Sequence, residues 1–249
     1  MSERPPYQPV DPHTLSRFDG DLGNFRRLVL DMGQLVLEQA RLASEALSQC
    51  DIAKAQNVAG RRRAIRDLDM DALNANARLF AVHQPVARDL RFVLTLSRAI
   101  YDLERISGEA VRLADITEGL YERNLSRHEC TIFEDVGRMA EPALSLLDRA
   151  LEALAQEDLR GAVDTALDSE SLERVFTGAI RRMATYVMED PRNIRWVIDA
   201  TLGLRAMERI GDHACSIARN IIYSVTGKDV RHASVANLED NGGAEPGPT

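Results

Sequence analysis

Glu208 and Asp212 stand four residues apart in a helix-patterned stretch of this chain, so their carboxylates stack on one helical face. Two unpaired carboxylates at that spacing repel by roughly a few tenths of a kcal/mol, so something cationic should face them. One candidate is a metal ion, because carboxylates on neighbouring helices commonly hold iron, manganese, magnesium or zinc inside a bundle. The other is a set of surface or interhelical salt bridges with arginines such as Arg205 and Arg209. Spacing alone leaves both open. Di-iron redox chemistry needs Glu-x-x-His pairs, and none of His13, His83, His128, His213 or His232 lies three residues after a glutamate. No phosphate-binding G-x-x-x-x-G-K-[ST], no dinucleotide-binding G-x-G-x-x-G and no G-x-S-x-G nucleophile turn occurs either. His213, beside Asp212, points to another helical face and is expected as a hydrogen-bonded bundle histidine.

The elements that must position these acids are revealed by an internal repeat. The phrase Leu103-Glu104-Arg105-Ile106 recurs as Met207-Glu208-Arg209-Ile210. Setting Glu104 on Glu208 also aligns Arg91 with Arg195, Phe92 with Trp196, Val93 with Val197, Leu94 with Ile198, Ala110 with Ala214 and Ala114 with Ala218. A recurring register of this kind means two units of one local architecture. A proline break precedes each phrase, at Pro85 and at Pro191, but the spacing to the glutamate differs by two residues, which the connecting turn must absorb.

Between polar ends the prolines are sparse, as long helices require. Leu28, Met32, Leu35, Leu42 and Ala46 form one apolar stripe, interrupted by Gln39, on a helix expected from Asp21 to Gln49. A second runs from Ile52 to the break at Pro85, and a third from Val86 or Arg88 to Ile116. Three more follow: Glu129–Ala155, with Pro142 expected to delay or kink it, then Asp158–Glu189 and Arg192–Val225. No alternating strand pattern competes, and aromatic residues are only 5%. The fold expected is all-α: two tandem homologous three-helix bundles, six long antiparallel helices in shallow-angle packing. Residues 1–20 form a disordered tail in this reading, 21–118 the first bundle, 119–128 a linker, 129–227 the second bundle and 228–249 a second disordered tail.

Composition narrows the function. With 39 acidic against 31 basic residues the net charge is −8, which argues against nucleic-acid binding through phosphate neutralisation. The run Arg61-Arg62-Arg63 points three ways from a helix and reads as a solvated face. No stretch approaches the roughly 18 apolar residues of a membrane span, so no membrane insertion and a cytoplasmic location are expected. Cys50, Cys130 and Cys215 are scattered without CxxC spacing, which indicates neither a disulfide framework nor a zinc site, only small buried residues.

Further motifs resemble the PhoU family of bacterial phosphate transport. They are Gln84-Pro85-Val86-Ala87-Arg88-Asp89-Leu90-Arg91, the doubled Glu-Arg-Ile phrase, the run from Tyr186 to Pro191, Gly211-Asp212-His213-Ala214 and Gly227-Lys228-Asp229-Val230-Arg231-His232. The resemblance implies a cytoplasmic regulator rather than an enzyme, often a homodimer. It implies an adaptor between the ATPase subunit of the phosphate ABC transporter (PstB-like) and the sensor histidine kinase of phosphate starvation (PhoR-like). Such an adaptor restrains transport and keeps the kinase signal off when phosphate is plentiful. The resemblance also implies an alternative, a storage or sensing protein holding iron or zinc through acidic motifs on the second and third helices of each repeat. Counting back from each proline, the positions where the family carries acids hold Ser169 and Glu173 in the second repeat, with Asp168 and Glu170 alongside. Glu173, Glu208 and Asp212 are therefore the expected metal ligands there. In the first repeat the same count gives Arg63 and Asp67, and Glu104 is followed by Gly108, so Asp67 and Glu104 mark a degraded site in which Arg63 can neutralise a carboxylate.

Overall fold

Asp51 and Asp158 show how the chain marks its helix starts. Each caps the second helix of its repeat, Asp51 accepting from the backbone N–H groups of Ala53 and Lys54, and Asp158 from that of Arg160. The residue before each cap, Cys50 or Glu157, closes the preceding helix in the left-handed region, with φ of 53° and 51°. A computed structural model describes residues 12–230. It contains α1 (Pro12–Gln49), α2 (Ile52–His83), α3 (Ala87–Glu122), α4 (Glu134–Gln156), α5 (Leu159–Leu167), α6 (Ser169–Glu189) and α7 (Ile194–Thr226). Two 3₁₀ turns, Glu129–Phe133 and Pro191–Asn193, lead into α4 and α7, and the described residues contain no strand.

The all-α duplicated fold is as expected, with four differences in the boundaries. Helix α1 begins at Pro12, so part of the expected N-terminal tail is helical; residues 1–11 and 231–249 of the expected tails lie outside the described residues. Helix α3 runs on to Glu122, because Leu120 still has a buried place to fill, which shortens the linker to 123–128. The expected fifth helix is broken at Asp168, which ends α5 and opens α6. Pro142 lies inside α4, and the delay falls earlier, in the 3₁₀ turn.

Within each repeat the neighbouring helices run antiparallel: Gln39 of α1 bonds Val58 of α2, and Asp135 of α4 bonds Arg182 of α6. The repeats share one continuous core instead of closing two. Helix α3 lies antiparallel along α7, with Thr95 reaching Asn220 and Glu109 reaching Arg209. Helix α1 lies antiparallel along α4, where Gly33 sets the closeness, and it meets α7 at Gly203. A Cβ on Gly33 would stand 2.5 Å from Leu151 Cδ2, and one on Gly203 would stand 2.6 Å from Leu47 Cδ2. Phe25, Leu103, Met139 and Trp196, one from each of these four helices, are fully buried.

Helices α2 and α6 flank this central layer and bury only narrow stripes. On α2 the stripe is Val58, Ile65, Ala72 and Leu79, spaced by seven, and on α6 it is Leu172, Phe176, Ala179 and Met183. Gln39 does not weaken its seam. Fully buried, it donates from Nε2 to Val58 O at 3.3 Å and accepts at Oε1 from Ser107 Oγ at 2.7 Å, tying α1 to both α2 and α3.

The cysteine expectation is corrected. Cys50 and Cys130 are joined by a disulfide, their Cα atoms 6.2 Å apart across 80 residues of sequence. Their proximity arises only when α1 packs along α4, so no local spacing could announce it. Cys215 is free and buried, and burial pushes its thiol up to about 11.

Candidate functional site

The acidic positions gather where each outer helix meets the third helix of its repeat. In the second repeat, α7 presents Glu208 and Asp212 while α6 presents Glu173. Asp212 keeps its proton to higher pH than usual, first because desolvation disfavours its charge and least because of Glu173, against the pull of His213, Arg219 and Arg205. Glu208 is held by the Arg205 guanidinium, which also lies 4.5 Å over the Phe176 ring. The arginine reading of the pair thus holds for Glu208, while Arg209 goes elsewhere, to Glu109 across the repeat boundary at 3.1 Å.

In the first repeat the carboxylate beside Glu104 is Asp69, not Asp67. Asp69 and Glu104 line one cavity of about 300 Å³ with Arg62, Arg66 and Ser107. Burial and then Glu104 raise the Asp69 pKa. Asp67 is exposed on the next part of the turn, and Arg63 beside it is exposed as well. The signal that finds Asp69 is the repeat itself: Asp69 precedes Glu104 by 35 residues, as Glu173 precedes Glu208.

These residues do not fit a metal centre. Among the described residues no group of three or more His, Cys, Asp or Glu side chains converges on one point. Glu208 spends its carboxylate on Arg205, and the first cluster offers two acids against two arginines, with Gly108 where the other repeat has Asp212.

A series of polar contacts lies instead along the α3–α7 seam, which the sequence did not mark. His213 Nδ1 is 2.8 Å from Asp102 Oδ1, so it is the hydrogen-bonded bundle histidine expected, with its partner in the other repeat. Arg98 donates to Asn220 Oδ1 at 3.2 Å and Arg91 to the Ser224 carbonyl at 3.1 Å. At the seam's end Glu129 accepts from Ser126 N–H at 2.9 Å and from the indole N–H of Trp196 at 2.6 Å. Hydrogen bonding from Ser126 foremost, with that from Trp196, holds its carboxyl below the usual range. Beside it, Ile194, Ile198 and Leu202 recur every four residues on the outer face of α7, each about half exposed, and Arg205 and Arg209 continue that face. No helix of the described residues is long and apolar enough to cross a membrane.

Comparison with known proteins matches this architecture throughout. The PhoU domain family matches residues 29–117 and again 136–221, once per repeat. A phosphate-specific transport system accessory protein PhoU homologue of Burkholderia sp is 35% identical over 231 residues, covering 92% of this chain and 97% of its own. The phosphate-specific transport system accessory protein PhoU of Escherichia coli (strain K12) is 30% identical, with 92% and 94% covered. The crystal structure of PhoU from Pseudomonas aeruginosa superposes with a TM-score of 0.76 at 34% identity, over 83% of this chain and 98% of that one. That of the phosphate transport system regulatory protein PhoU from Streptococcus pneumoniae gives 0.75 at 27% identity, over 86% and 99%. With both repeats matched and relatives aligned nearly end to end, this chain belongs to the PhoU family.

Proposed function

We propose that this chain is an accessory and regulatory protein of phosphate transport, acting in the cytoplasm as an adaptor that works by binding rather than by bond making. The observation that carries this reading is the match of both repeats to the family, along a chain that aligns nearly end to end with phosphate-transport accessory proteins. The finer reading is that it docks the ATPase subunit of the phosphate ABC transporter and the sensor kinase of phosphate starvation, restraining both when phosphate is ample, and that it works as a homodimer.

The outer face of α7 supports an adaptor role. Ile194, Ile198 and Leu202 offer an apolar contact strip, flanked by Arg195, Arg205 and Arg209, which pair within the chain with Glu129, Glu208 and Glu109. Such a face suits a partner surface that is apolar at its centre and polar at its rim. Neither acidic cluster favours the metal alternative, so no second reading is advanced.

The test is affinity purification of the tagged full chain from cells grown with ample phosphate, with identification of bound proteins and elemental analysis of the same eluate. The transporter ATPase or the sensor kinase should be recovered, and Ile198→Asp should release it without altering the helical circular dichroism spectrum. Stoichiometric iron or zinc with neither partner would overturn the adaptor reading.

A further inference from the structure

We propose that Cys50 and Cys130 form a reversible thiol–disulfide site, oxidised by low-molecular-weight disulfides, that fastens the linker between the two repeats. Three observations carry it. First, the fold brings together two half-buried cysteines from opposite repeats, with Cα atoms at a distance a disulfide spans without backbone movement. Second, Cys50 occupies the left-handed residue that closes α1, with the Asp51 N–H bonded back to Ala46 O, a place that glycine ordinarily fills. A cysteine there carries a backbone cost that its side chain must offset.

Third, the equivalent residue of the second repeat does the same work by other means. Glu157, also left-handed and also followed by a capping aspartate, reaches back into the first repeat toward Arg26 at 3.9 Å and Arg88 at 3.2 Å. The closing residue of each first helix thus ties its repeat to the other. One tie is ionic and indifferent to redox state; the other is covalent and depends on it.

The chemistry balances without a group outside the proposal. A thiolate of the pair attacks one sulfur of a small disulfide and displaces one thiolate, leaving a mixed disulfide. The second cysteine attacks the protein sulfur of that intermediate and displaces the other thiolate. The pair is oxidised by two electrons, and the small disulfide is reduced to two thiols. A dithiol reverses both steps. Cys215 takes no part, since it is buried and its thiol is held protonated to about pH 11.

The closed bond pins the end of α1 to the 3₁₀ turn that opens the second repeat. The next residue before Cys130 is Glu129, which holds Trp196, so the 123–128 linker is held at its far end by a covalent tie. With the thiols reduced, the linker keeps only non-covalent ties, among them Glu129 with Ser126, Arg123 with Asp199 and the packing of Leu125 against the core. The redox state therefore sets how readily the linker opens beside the exposed strip of α7.

The experiment uses the full wild-type chain, incubated with glutathione disulfide or with dithiothreitol. Non-reducing peptide mapping should show the Cys50–Cys130 cross-link after the first and three free thiols after the second. Native trypsin should cleave after Arg127 on the order of tenfold faster in the reduced protein. Cys50→Ser should cleave at the reduced rate in both conditions, and if that variant fails to fold, the wild-type comparison alone decides. Stable glutathione adducts on Cys50 or Cys130 without the cross-link would overturn the site. Equal cleavage rates with the cross-link present and absent would overturn the fastening.

Discussion

Removing the smaller partner of the Gln39–Ser107 bond is expected to cost more than removing the larger. Ser107→Ala deletes the hydroxyl that donates to Gln39 Oε1, and Gln39 is fully buried with no other donor to that oxygen among the described residues. A buried acceptor left unpaired costs about 1–3 kcal/mol. Gln39→Leu removes the whole amide and fills the same volume with apolar atoms. It leaves Ser107 on a helix, where the hydroxyl can turn to the carbonyl four residues back, at Leu103. Replacing a polar group by an apolar one of similar shape is near neutral, so about 0–1 kcal/mol is expected. The double variant should then be more stable than Ser107→Ala alone, since no orphaned acceptor remains. Urea unfolding monitored by circular dichroism gives these differences directly, provided the slopes agree. A loss of about 2 kcal/mol would lower Tm by roughly 4–8 °C in a chain of this size. If Gln39→Leu proves costlier than Ser107→Ala, or if the two losses simply add, the bond does not hold the seam as described.

Three other perturbations probe different parts of the molecule. Gly203→Leu should cost about 3 kcal/mol or abolish soluble expression, because even a Cβ there meets Leu47 at 2.6 Å and Val136 at 3.2 Å; expression with unchanged Tm would show that α1 can retreat from α7. Asp212→Asn should raise stability near neutral pH. The folded pKa of Asp212 lies above its unfolded value, so the wild type gains stability as pH falls through the folded pKa toward the unfolded one, and the asparagine variant should lack that gain in a thermal-melt series against pH. Asp21 has the opposite sign: its bond to His83 foremost lowers its pKa, so it stabilises above the unfolded pKa and that stability is lost as pH falls through the folded one. Asp21→Asn should therefore be less stable than wild type at neutral pH, with the gap closing in acid.

The helical duplication was legible because it lives in periodicity and in a repeated phrase, both properties of the chain itself. Helix ends were less so. Helix α3 outran its expected end because Leu120 finds a buried place that only packing supplies, and the break at Asp168 carries neither glycine nor proline to announce it. Asp69 is legible in the repeat and not in the prolines. The two-residue discrepancy between the prolines and the glutamates places the change of length in the turn, not in the helix. The repeat offset that pairs Glu104 with Glu208 pairs Asp69 with Glu173. The disulfide and the Asp102–His213 bond were out of reach, because each joins residues that share no helix and come together only when the repeats dock.

That docking has a consequence for how the two halves have come to differ. Helices α3 and α7 are counterparts, and they meet antiparallel, the arrangement by which two identical subunits would pair about a twofold axis. In such a dimer every contact occurs twice, so any change must suit both of its appearances. Joined in one chain, the partners meet at a concentration fixed by the linker, and that constraint lapses. The contact between Asp102 and His213 shows it: the symmetric image would pair Ala206 with Glu109, which has no ion pair to make, and Glu109 turns to Arg209 instead. The molecule is in this sense a heterodimer written as a single polypeptide, free to specialise one half without consulting the other.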